Sequence, residues 1–226
     1  MLTLLNPKSW PGWSIGRKSY GDEFDLAARQ RMIDASKRLL PLLKKYKSSI
    51  GDIILEVGPF FDPLIVPQQF PGKKICYLDD DRHVIHWLRN NSNGDTSSIR
   101  YNLNRLSPTE QQKLKRSFRK TMSSLGTNRV VFDSIVVSQV LNYINFPQFS
   151  RAIGQYLKSG GLLFINNTID YGIPALFSST RPHNDQEIMD SFKKAGFKTV
   201  AHQTIPSAHQ SHQKNDQLLL VLKKGK

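Results

Sequence analysis

Cysteine is almost absent from this 226-residue chain, which contains only Cys76. A single cysteine has no partner within the chain, so an intrachain disulfide and the class of small disulfide-rich proteins are both excluded. Apolar runs are short as well, and none approaches the roughly 20 residues that a membrane-spanning helix needs. The first residues lack the charged-then-apolar order of a secretory signal. We therefore expect a cytoplasmic protein without a membrane partner.

Several motifs that define nucleotide-binding and hydrolytic enzymes are missing. No GxGxxG pattern follows an apolar run, which argues against a nicotinamide- or flavin-binding domain, and neither GxxxxGK[ST] nor GxSxG occurs. The histidine pairs His83 with His86 and His209 with His212 have no cysteine or acid beside them at the spacing of a metal site. We expect no metal.

Acidic residues are scarce relative to basic ones. The chain has 18 Asp and Glu against 32 Lys and Arg, which gives a formal net charge of +14. A positive field attracts polyanions, so nucleic acid is the first partner to consider. The alternative is an ordinary solvated surface that carries no function.

Short apolar runs alternate with segments of helical period, and this pattern is typical of a wound α/β sheet. Strands are predicted at 53–57, 74–78, 99–101, 130–137, 162–165, 197–204 and 217–222. Helices are predicted from Asp22 to a kink or end at Pro41, around 84–88, at 107–125, from Phe149 to a stop at 159–161, and at 188–195. The last connection contains no helical segment, so the final two strands should be antiparallel.

These elements predict an α/β protein with three layers and about seven strands. The sheet should be mostly parallel, with an antiparallel hairpin at its C-terminal end and a helical lead-in at its N-terminal end. Residues 1–48 would form an N-terminal arm and helix, and residues 49–226 would form the α/β domain.

Polar residues follow several of the predicted strands. Ligands of open α/β sheets bind outside the carboxyl ends of the strands, which here carry 56–59, Asp79 with Asp80, Asn102, and Ser138 with Gln139. An acid after the second strand is the usual way to hold the two hydroxyls of a ribose, because one carboxylate accepts both hydrogen bonds.

Four segments resemble successive motifs of the class I S-adenosylmethionine-dependent methyltransferases. They are ILEVGP at 54–59, YLD at 77–79, FDSIVVSQVLN at 132–142 and YLKSGGLL at 156–163, and they occur in the order of that family. The resemblance covers about residues 50–222. It implies a Rossmann-like domain that binds S-adenosylmethionine and transfers its methyl group.

The resemblance also implies roles for individual residues. Glu56 would lie near the methionine end of the cofactor, Gly58 would let the backbone approach it closely, and Asp79 would bind the ribose. Asn102 would contact the adenine, at a position where an aspartate is commoner. The implied cofactor-binding set is Glu56, Gly58, Pro59, Asp79, Asp80, Asn102, Ser138 and Gln139, the last two beneath the methyl group.

One segment departs from the family pattern. After Gly58 the sequence continues as Pro59-Phe60-Phe61, where two further small residues normally leave room for the cofactor. The next helix should be stunted, since Pro63 can start it but Pro67 soon stops it. Either the loop is rearranged around the cofactor, or the site has lost it and the protein is a non-catalytic relative.

Methyl transfer to oxygen or nitrogen requires a group that helps to remove a proton from the acceptor. Candidate catalytic residues follow the fourth and fifth predicted strands: Tyr143, Asp170, Tyr171 and His183. For each of them a purely structural role in a loop or cap is the alternative.

The aromatic residues of the N-terminal arm suggest two alternatives. Trp13, Tyr20 and Phe24 would screen the site from water if the arm folds over the cofactor as a lid, as in many small-molecule methyltransferases. Equally, the arm would cover an apolar flank of the sheet.

The basic residues favour a small-molecule acceptor over nucleic acid. A group of them lies on the helix before the fourth strand: Lys113, Lys115, Arg116, Arg119 and Lys120. Such helices pack on the faces of the sheet, away from the carboxyl edge where an acceptor enters, and no NPPY- or DPPY-type motif is present. Nucleic acid remains the alternative acceptor, and the oligomeric state is left open.

Overall fold

Seven strands form one mixed sheet in the computed structural model, which describes residues 33–60, 62–169, 180–206 and 216–225. The strands are β1 (Ile53–Val57), β2 (Lys74–Asp79), β3 (Thr96–Arg100), β4 (Phe132–Ser138), β5 (Leu157–Thr168), β6 (Phe197–Ile205) and β7 (Gln217–Lys224). Their order across the sheet is β3-β2-β1-β4-β5-β7-β6.

The strand directions bring most carboxyl ends to one side. The pairs β1–β2, β2–β3, β1–β4 and β4–β5 are parallel, whereas β7 is antiparallel to both β5 and β6. Because β7 is antiparallel to both β5 and β6, these two strands run in the same direction. The ends of β1 to β6 therefore meet at one edge, called the carboxyl edge below. The predicted mostly parallel sheet with an antiparallel C-terminal hairpin is confirmed.

Helices cover both faces of the sheet, as predicted. They are α1 (Leu40–Lys45), α2 (Arg82–Asn90), α3 (Pro108–Ser124), α4 (Phe146–Ile153) and α5 (Asp185–Lys194), with short 3-10 helices at Lys47–Ser49 and Gly154–Tyr156. Residues 33–37 are also helical. In the part of the chain that the structure describes, no helix combines the length and the apolar character that a membrane crossing requires.

The start and the buried stripe of α3 illustrate why the sequence pattern predicts the fold. The Ser107 hydroxyl accepts a hydrogen bond from the backbone N–H of Glu110 at 3.4 Å, and Pro108 occupies the first turn. Leu114, Phe118 and Met122 then recur at helical spacing and are buried against the sheet.

Two apolar cores lie on opposite faces of the sheet. Alternate residues of β1 divide between them, since Leu55 belongs to the core under α3, α4 and α5, and Ile54 belongs to the other. The second core includes Leu39, Leu43 and Ile50 from the N-terminal side of β1. These cores make the three layers of the predicted architecture.

The prediction for the segment before β5 was wrong. The helix ends at Ile153 and β5 already begins at Leu157, whereas the sequence pattern extends the helix through Leu157 to a stop at the two glycines. Phe132 pairs with Leu157 but Ser134 pairs with Leu162, so the residues between bulge out of the strand. A Cβ on Gly161 would lie 2.8 Å from the Asp133 carbonyl oxygen. The glycines therefore permit a bulge and do not end a helix.

Two proline predictions were also wrong in part. Pro63 starts no helix, because the described residues of the β1–β2 connection, 58–60 and 62–73, contain only turns and irregular structure. At Pro41 a kink or an end was predicted: the helix is interrupted at 38–39, in agreement with a kink, but Pro41 does not end it. Pro41 sits in the first turn of α1, where its missing N–H has no intrahelical partner to lose. The predicted start at Asp22 and the aromatic residues of the arm lie outside the described residues.

Candidate functional site

The carboxyl edge gathers predicted site residues from different strands. Glu56 lies near the end of β1, Asp79 ends β2 and Ser138 ends β4. Because β1 lies between β2 and β4, these three positions are neighbours on one edge of the sheet. The roles of these residues stay predictions.

Glu56 is fully buried and binds the chain that follows β1. Its Oε1 accepts a hydrogen bond from the Leu64 backbone N–H at 2.8 Å, and its Oε2 accepts one from Ile65 at 3.0 Å. Burial raises the pKa of Glu56 to about 8, although the two amide hydrogen bonds act in the opposite direction. The carboxyl group is thus an anchor for residues 64–65.

A tyrosine that the sequence did not reveal completes this anchor. Tyr77 of β2 pairs in register with Glu56, and its hydroxyl donates to the Ile65 carbonyl oxygen at 2.7 Å. Leu64, Ile65 and Phe70 are consequently buried on the face of the sheet where a helix was expected. The departure from the family pattern is therefore a tethered loop with its own apolar packing.

Asp79 is half-buried at the end of β2. Its Oδ1 accepts a hydrogen bond from the Asp81 backbone N–H at 3.0 Å, and the Phe60 backbone N–H donates to the same carboxyl group. Burial raises the pKa of Asp79 to about 7, and the neighbouring charges of Asp80 and Asp81 act in the same direction. An acid with such a pKa at the carboxyl edge of the sheet is a typical candidate for a functional group.

Phe60 adopts a backbone conformation that normally belongs to glycine. Its φ is 53°, in the left-handed region, which costs a residue with a Cβ about 1–2 kcal/mol. The hydrogen bond from its N–H to Asp79 and the packing of its ring on the second core offset this cost. The loop therefore reaches the Asp79 carboxylate through its backbone.

Gly58 is required by the packing of the protein itself. It has φ +69°, and a Cβ at this position would lie 2.2 Å from Cγ2 of Val140. Its N–H donates to the Leu78 carbonyl oxygen at 2.9 Å, which holds the start of the loop against β2. Any side chain at this position would push β1 and the segment after β4 apart.

We expect Gly58→Ala to lower the free energy of unfolding by about 2–4 kcal/mol, because overpacking adds to left-handed strain. Gly72→Ala is the matched control: Gly72 has φ +71° but nothing lies within 4 Å of a Cβ there. Urea unfolding should show a loss of only about 1 kcal/mol for Gly72→Ala. Equal losses in the two variants would contradict the predicted clash with Val140.

Buried polar side chains dock the residues before α1 onto the carboxyl edge. The Ser138 hydroxyl donates to the Ser36 hydroxyl at 2.9 Å. Amide groups of Asn166 and Gln217 donate to the Ala35 carbonyl oxygen at 2.7 and 2.6 Å. The Ala35 carbonyl oxygen lies near the end of the helical segment 33–37 and also accepts from the Arg38 backbone N–H at 3.2 Å. Ser138 thus faces the N-terminal segment.

The same segment is tied to the loop after β1. Lys37 Nζ lies 3.2 Å from Asp62 Oδ2. Since both side chains are more than a third exposed, this ion pair contributes little to stability and mainly marks proximity. Residues 35–37 therefore lie over the ends of β4 and β5 and beside the loop.

Gln139 connects two strand ends. Its φ is 57°, and its Nε2 donates to Asn166 Oδ1 at 3.1 Å. Its Oε1 accepts from the N–H and the hydroxyl of Thr168, at 3.0 and 2.9 Å. The side chain predicted to lie beneath the methyl group is thus engaged in joining β4 to β5.

The remaining predicted cofactor residues lie in turns. Pro59 is buried, and its carbonyl oxygen accepts from the Asp62 N–H at 3.3 Å. Asp80 is exposed, and its carbonyl oxygen accepts from Arg100 Nε at 3.1 Å. Asn102 is exposed, and its Oδ1 accepts from the Asn104 N–H at 2.9 Å, which shapes the turn after β3.

Two of the four candidate catalytic residues lie in the described part of the chain. Tyr143 is 38% exposed, and its carbonyl oxygen accepts from the Asn104 side chain at 3.0 Å. His183 is exposed, and its backbone N–H donates to Glu187 Oε2 at 2.9 Å before α5. Asp170 and Tyr171 lie outside the described residues. No group of three potential metal ligands occurs among the residues that are described.

Solved structures share this fold. The N-methyltransferase NodS from Bradyrhizobium japonicum WM9 is 15% identical over 88% of this chain and 97% of its own, with a TM-score of 0.57. A 1,6-didemethyltoxoflavin-N1-methyltransferase of Burkholderia thailandensis, solved with 1,6-didemethyltoxoflavin and S-adenosylhomocysteine, is 13% identical over 100% and 93%, with a TM-score of 0.61. The [4+2]-cyclase SpnF is 15% identical over 84% and 80%, with a TM-score of 0.61.

The chain therefore has the fold of the class I S-adenosylmethionine-dependent methyltransferases, and the resemblance stated from its motifs is confirmed at the level of the fold. No protein-family profile matches the sequence, and no curated protein matches it. The likeness is thus one of architecture, and the chemistry has to be argued from the residues.

Proposed function

We propose that the protein is an S-adenosylmethionine-dependent methyltransferase that methylates a small molecule on oxygen or nitrogen. The observation that carries the proposal is the half-buried Asp79 carboxyl group at the end of β2, whose pKa is raised to about 7. Two backbone N–H groups bind this carboxylate, and a carboxylate with roughly four lone-pair sites keeps capacity for the two hydroxyls of a ribose.

The residues fit the nucleoside half of the cofactor most directly. Asp79 would hold the ribose. Asp80 follows β2 and Asn102 follows β3, so both lie at the same edge of the sheet. Near the methionine half, both oxygens of Glu56 bind backbone amides, so Glu56 would shape the loop that faces the cofactor. Bound cofactor would supply a methyl group already activated as a sulfonium. The chain then has to orient the acceptor, exclude water and take up a proton.

The candidates for taking up that proton are Tyr143, Asp170, Tyr171 and His183, of which the structure describes Tyr143 and His183. Tyr143 follows β4 and His183 precedes α5, so both belong to connections that leave the carboxyl edge. The residues docked by Ser138, Asn166 and Gln217 would exclude water from the same region.

A small-molecule acceptor is favoured by charge placement and by the neighbours. The cations of α3 are exposed on a helix that covers one face of the sheet, away from the carboxyl edge. NodS and the toxoflavin enzyme are described as N-methyltransferases, and the second was solved with a small molecule bound. Nucleic acid is the alternative acceptor. It would require steeply salt-dependent binding that weakens on charge reversal of Lys115 or Arg119.

Calorimetry with S-adenosylhomocysteine tests the proposal. We expect a dissociation constant in the micromolar range, and binding at least about tenfold tighter than that of 5′-methylthioadenosine, which lacks the amino-acid end; tenfold corresponds to about 1.4 kcal/mol. Absence of binding by either compound would refute the proposal.

The affinity for S-adenosylhomocysteine should depend on pH through Asp79. A carboxylate accepts both ribose hydrogen bonds, whereas a protonated acid cannot, so binding favours the ionised form and releases a proton. With a pKa of about 7 in the free protein, affinity should rise about tenfold between about pH 6 and about pH 8. Asp79→Asn should bind weakly with a flat profile. A flat profile in the unsubstituted protein would contradict this role.

The second candidate function is a non-catalytic binding module. It is favoured because both carboxylate oxygens of Glu56 already accept hydrogen bonds from backbone amides, and because the Phe60 backbone N–H already binds Asp79. The [4+2]-cyclase among the neighbours is an instance of this fold with another reaction in its name. Equal affinity for S-adenosylhomocysteine and 5′-methylthioadenosine would support this candidate, because the methionine end would then contribute nothing.

A further inference from the structure

Arg181 is half-buried, and one nitrogen of its guanidinium has no hydrogen-bond partner among the described residues. Its Nε is shielded from solvent and has no hydrogen-bond partner, and no ion pair involves this residue among the described parts of the chain. By contrast, Arg129 and Lys158 both pair with Asp133, and Lys37 pairs with Asp62. A guanidinium N–H that is shielded from water without an acceptor is costly, so such a group usually binds an anion.

The position of Arg181 links it to the carboxyl edge. It lies in the connection from β5 to α5, just before the first residue of α5, Asp185. Asp185 Oδ2 accepts a hydrogen bond from the hydroxyl of Thr204, close to the end of β6, at 3.0 Å. Because β6 runs parallel to β5, α5 begins at the carboxyl edge, and Arg181 belongs to the same side of the molecule.

The acids that follow Arg181 are occupied by other donors. Glu187 accepts from the backbone N–H of His183 at 2.9 Å and from the Asn184 side chain at 3.1 Å. Asp185 accepts from Thr204 and lies 3.0 Å from His202 Nε2. Neither carboxylate pairs with Arg181, although both are close to it in sequence. Within the described residues, Arg181 Nε therefore keeps its capacity to bind an anion from outside the chain.

We propose that Arg181 binds an anionic group, a carboxylate or a phosphate, of the methyl acceptor. The inference rests on the proposed methyltransferase function and names the chemical class of its substrate. A guanidinium forms paired hydrogen bonds with either group, which gives both attraction and orientation. Arg181 would thereby hold the acceptor at the edge where the candidate proton-accepting residues lie. The other possible source of the same chemistry is the carboxylate of the cofactor.

The test uses the full-length protein with and without saturating S-adenosylhomocysteine. Inorganic phosphate and acetate are titrated at constant ionic strength, and binding is followed by the NMR signal of the Arg181 Nε–H and by the melting temperature. Arg181→Gln is compared with Arg116→Gln, which removes the same charge from an exposed position of α3. Arg181→Met is added because it replaces the unpaired charge by an apolar side chain of similar length.

We expect phosphate or acetate to shift the Arg181 signal and to raise the melting temperature, as a ligand of the folded state does. Arg181→Gln should weaken this anion binding at least tenfold and leave the affinity for S-adenosylhomocysteine within about twofold, while Arg116→Gln changes neither. Arg181→Met should abolish the anion response and raise the melting temperature of the anion-free protein by about 2–4 °C. A purely structural role for the guanidinium would instead lower it.

Three outcomes would overturn the proposal. The first is the absence of any effect of both anions on the Arg181 signal. The second is loss of affinity for S-adenosylhomocysteine in Arg181→Gln with unchanged affinity for 5′-methylthioadenosine, which would assign the residue to the cofactor carboxylate. The third is failure of the unsubstituted protein to bind S-adenosylhomocysteine at all. This last result would refute the methyltransferase proposal as well. It differs from the first outcome because phosphate would still bind at Arg181.

Discussion

Asp79→Ala is expected to weaken the binding of S-adenosylhomocysteine about 100-fold or more. A hydrogen bond to a charged group contributes about 1.5–3 kcal/mol, and Asp79 would accept two from the ribose. Its burial also strengthens these bonds, since less water competes for the carboxylate. Titration calorimetry measures the loss directly.

A suitable control for Asp79→Ala is Asp95→Ala. Asp95 is exposed and immediately precedes β3, at the amino edge of the sheet, so the variant removes the same charge at a distance from the carboxyl edge. We expect its affinity to stay within about twofold. Circular dichroism should show that both variants remain folded. Equal affinities of Asp79→Ala and the unsubstituted protein would remove Asp79 from the ribose site and with it the main support for the proposed function.

Asp133→Ala is expected to lower the free energy of unfolding by about 3–5 kcal/mol. Asp133 is 3% exposed, and its Oδ2 accepts from the backbone N–H groups of Asp52 and Ile53 at 2.8 and 2.9 Å. Its Oδ1 lies 2.8 Å from both Arg129 and Lys158. The alanine variant would leave backbone donors unsatisfied and two cations without their anion, and urea unfolding measures the cost.

The matched control for this variant is Asp52→Ala. The Asp52 carboxylate pairs with Lys73 at 2.8 Å but is 79% exposed, so its loss should cost less than about 1 kcal/mol. The backbone N–H of residue 52 still reaches Asp133 in this variant. A similar loss in both variants would show that burial of the Asp133 carboxylate does not determine its contribution.

The Asp133 contribution should also disappear in acid. Burial alone would raise its pKa, but hydrogen bonds from Lys158, Arg129 and the two backbone amides outweigh burial and hold the pKa of Asp133 well below its usual range. The folded state therefore binds a proton less readily than the unfolded state. The stabilisation is complete above about pH 4 and is lost as the pH falls below that. Asp133→Asn should lack this part of the acid dependence.

The strands and most helices followed from local pattern. β1 was predicted at its observed bounds because four of its five residues are apolar and a glycine follows, and α3 was predicted because Ser107, Pro108 and a helical apolar stripe agree. The segment before β5 was mispredicted, because its glycines serve a bulge against Asp133 that is formed by a distant strand. Local pattern carries no information about such a contact.

The candidate site was predictable where a residue follows a strand directly. Glu56, Asp79 and Ser138 were found because the carboxyl ends of parallel strands meet at one edge. Tyr77 was missed because it lies inside a strand and resembles an ordinary core residue until its hydroxyl is seen on Ile65. The contacts of Asn166 and Gln217 with Ala35 were not predicted either, since Ala35 is more than a hundred residues away from both in the chain.

The sequence by itself determined the α/β class, the order of strands and helices, and the positions of the acids at the carboxyl edge, because these depend on residue spacing within a few turns. Only the tertiary structure decided that Glu56 anchors a loop, that Asp133 binds two cations and two amides, and that Arg181 Nε has no hydrogen-bond partner among the described residues. In each case the free-energy cost of desolvating a charged group is set against its hydrogen bonds and ion pairs with residues distant in the sequence. That balance exists only once the sheet has brought those partners together.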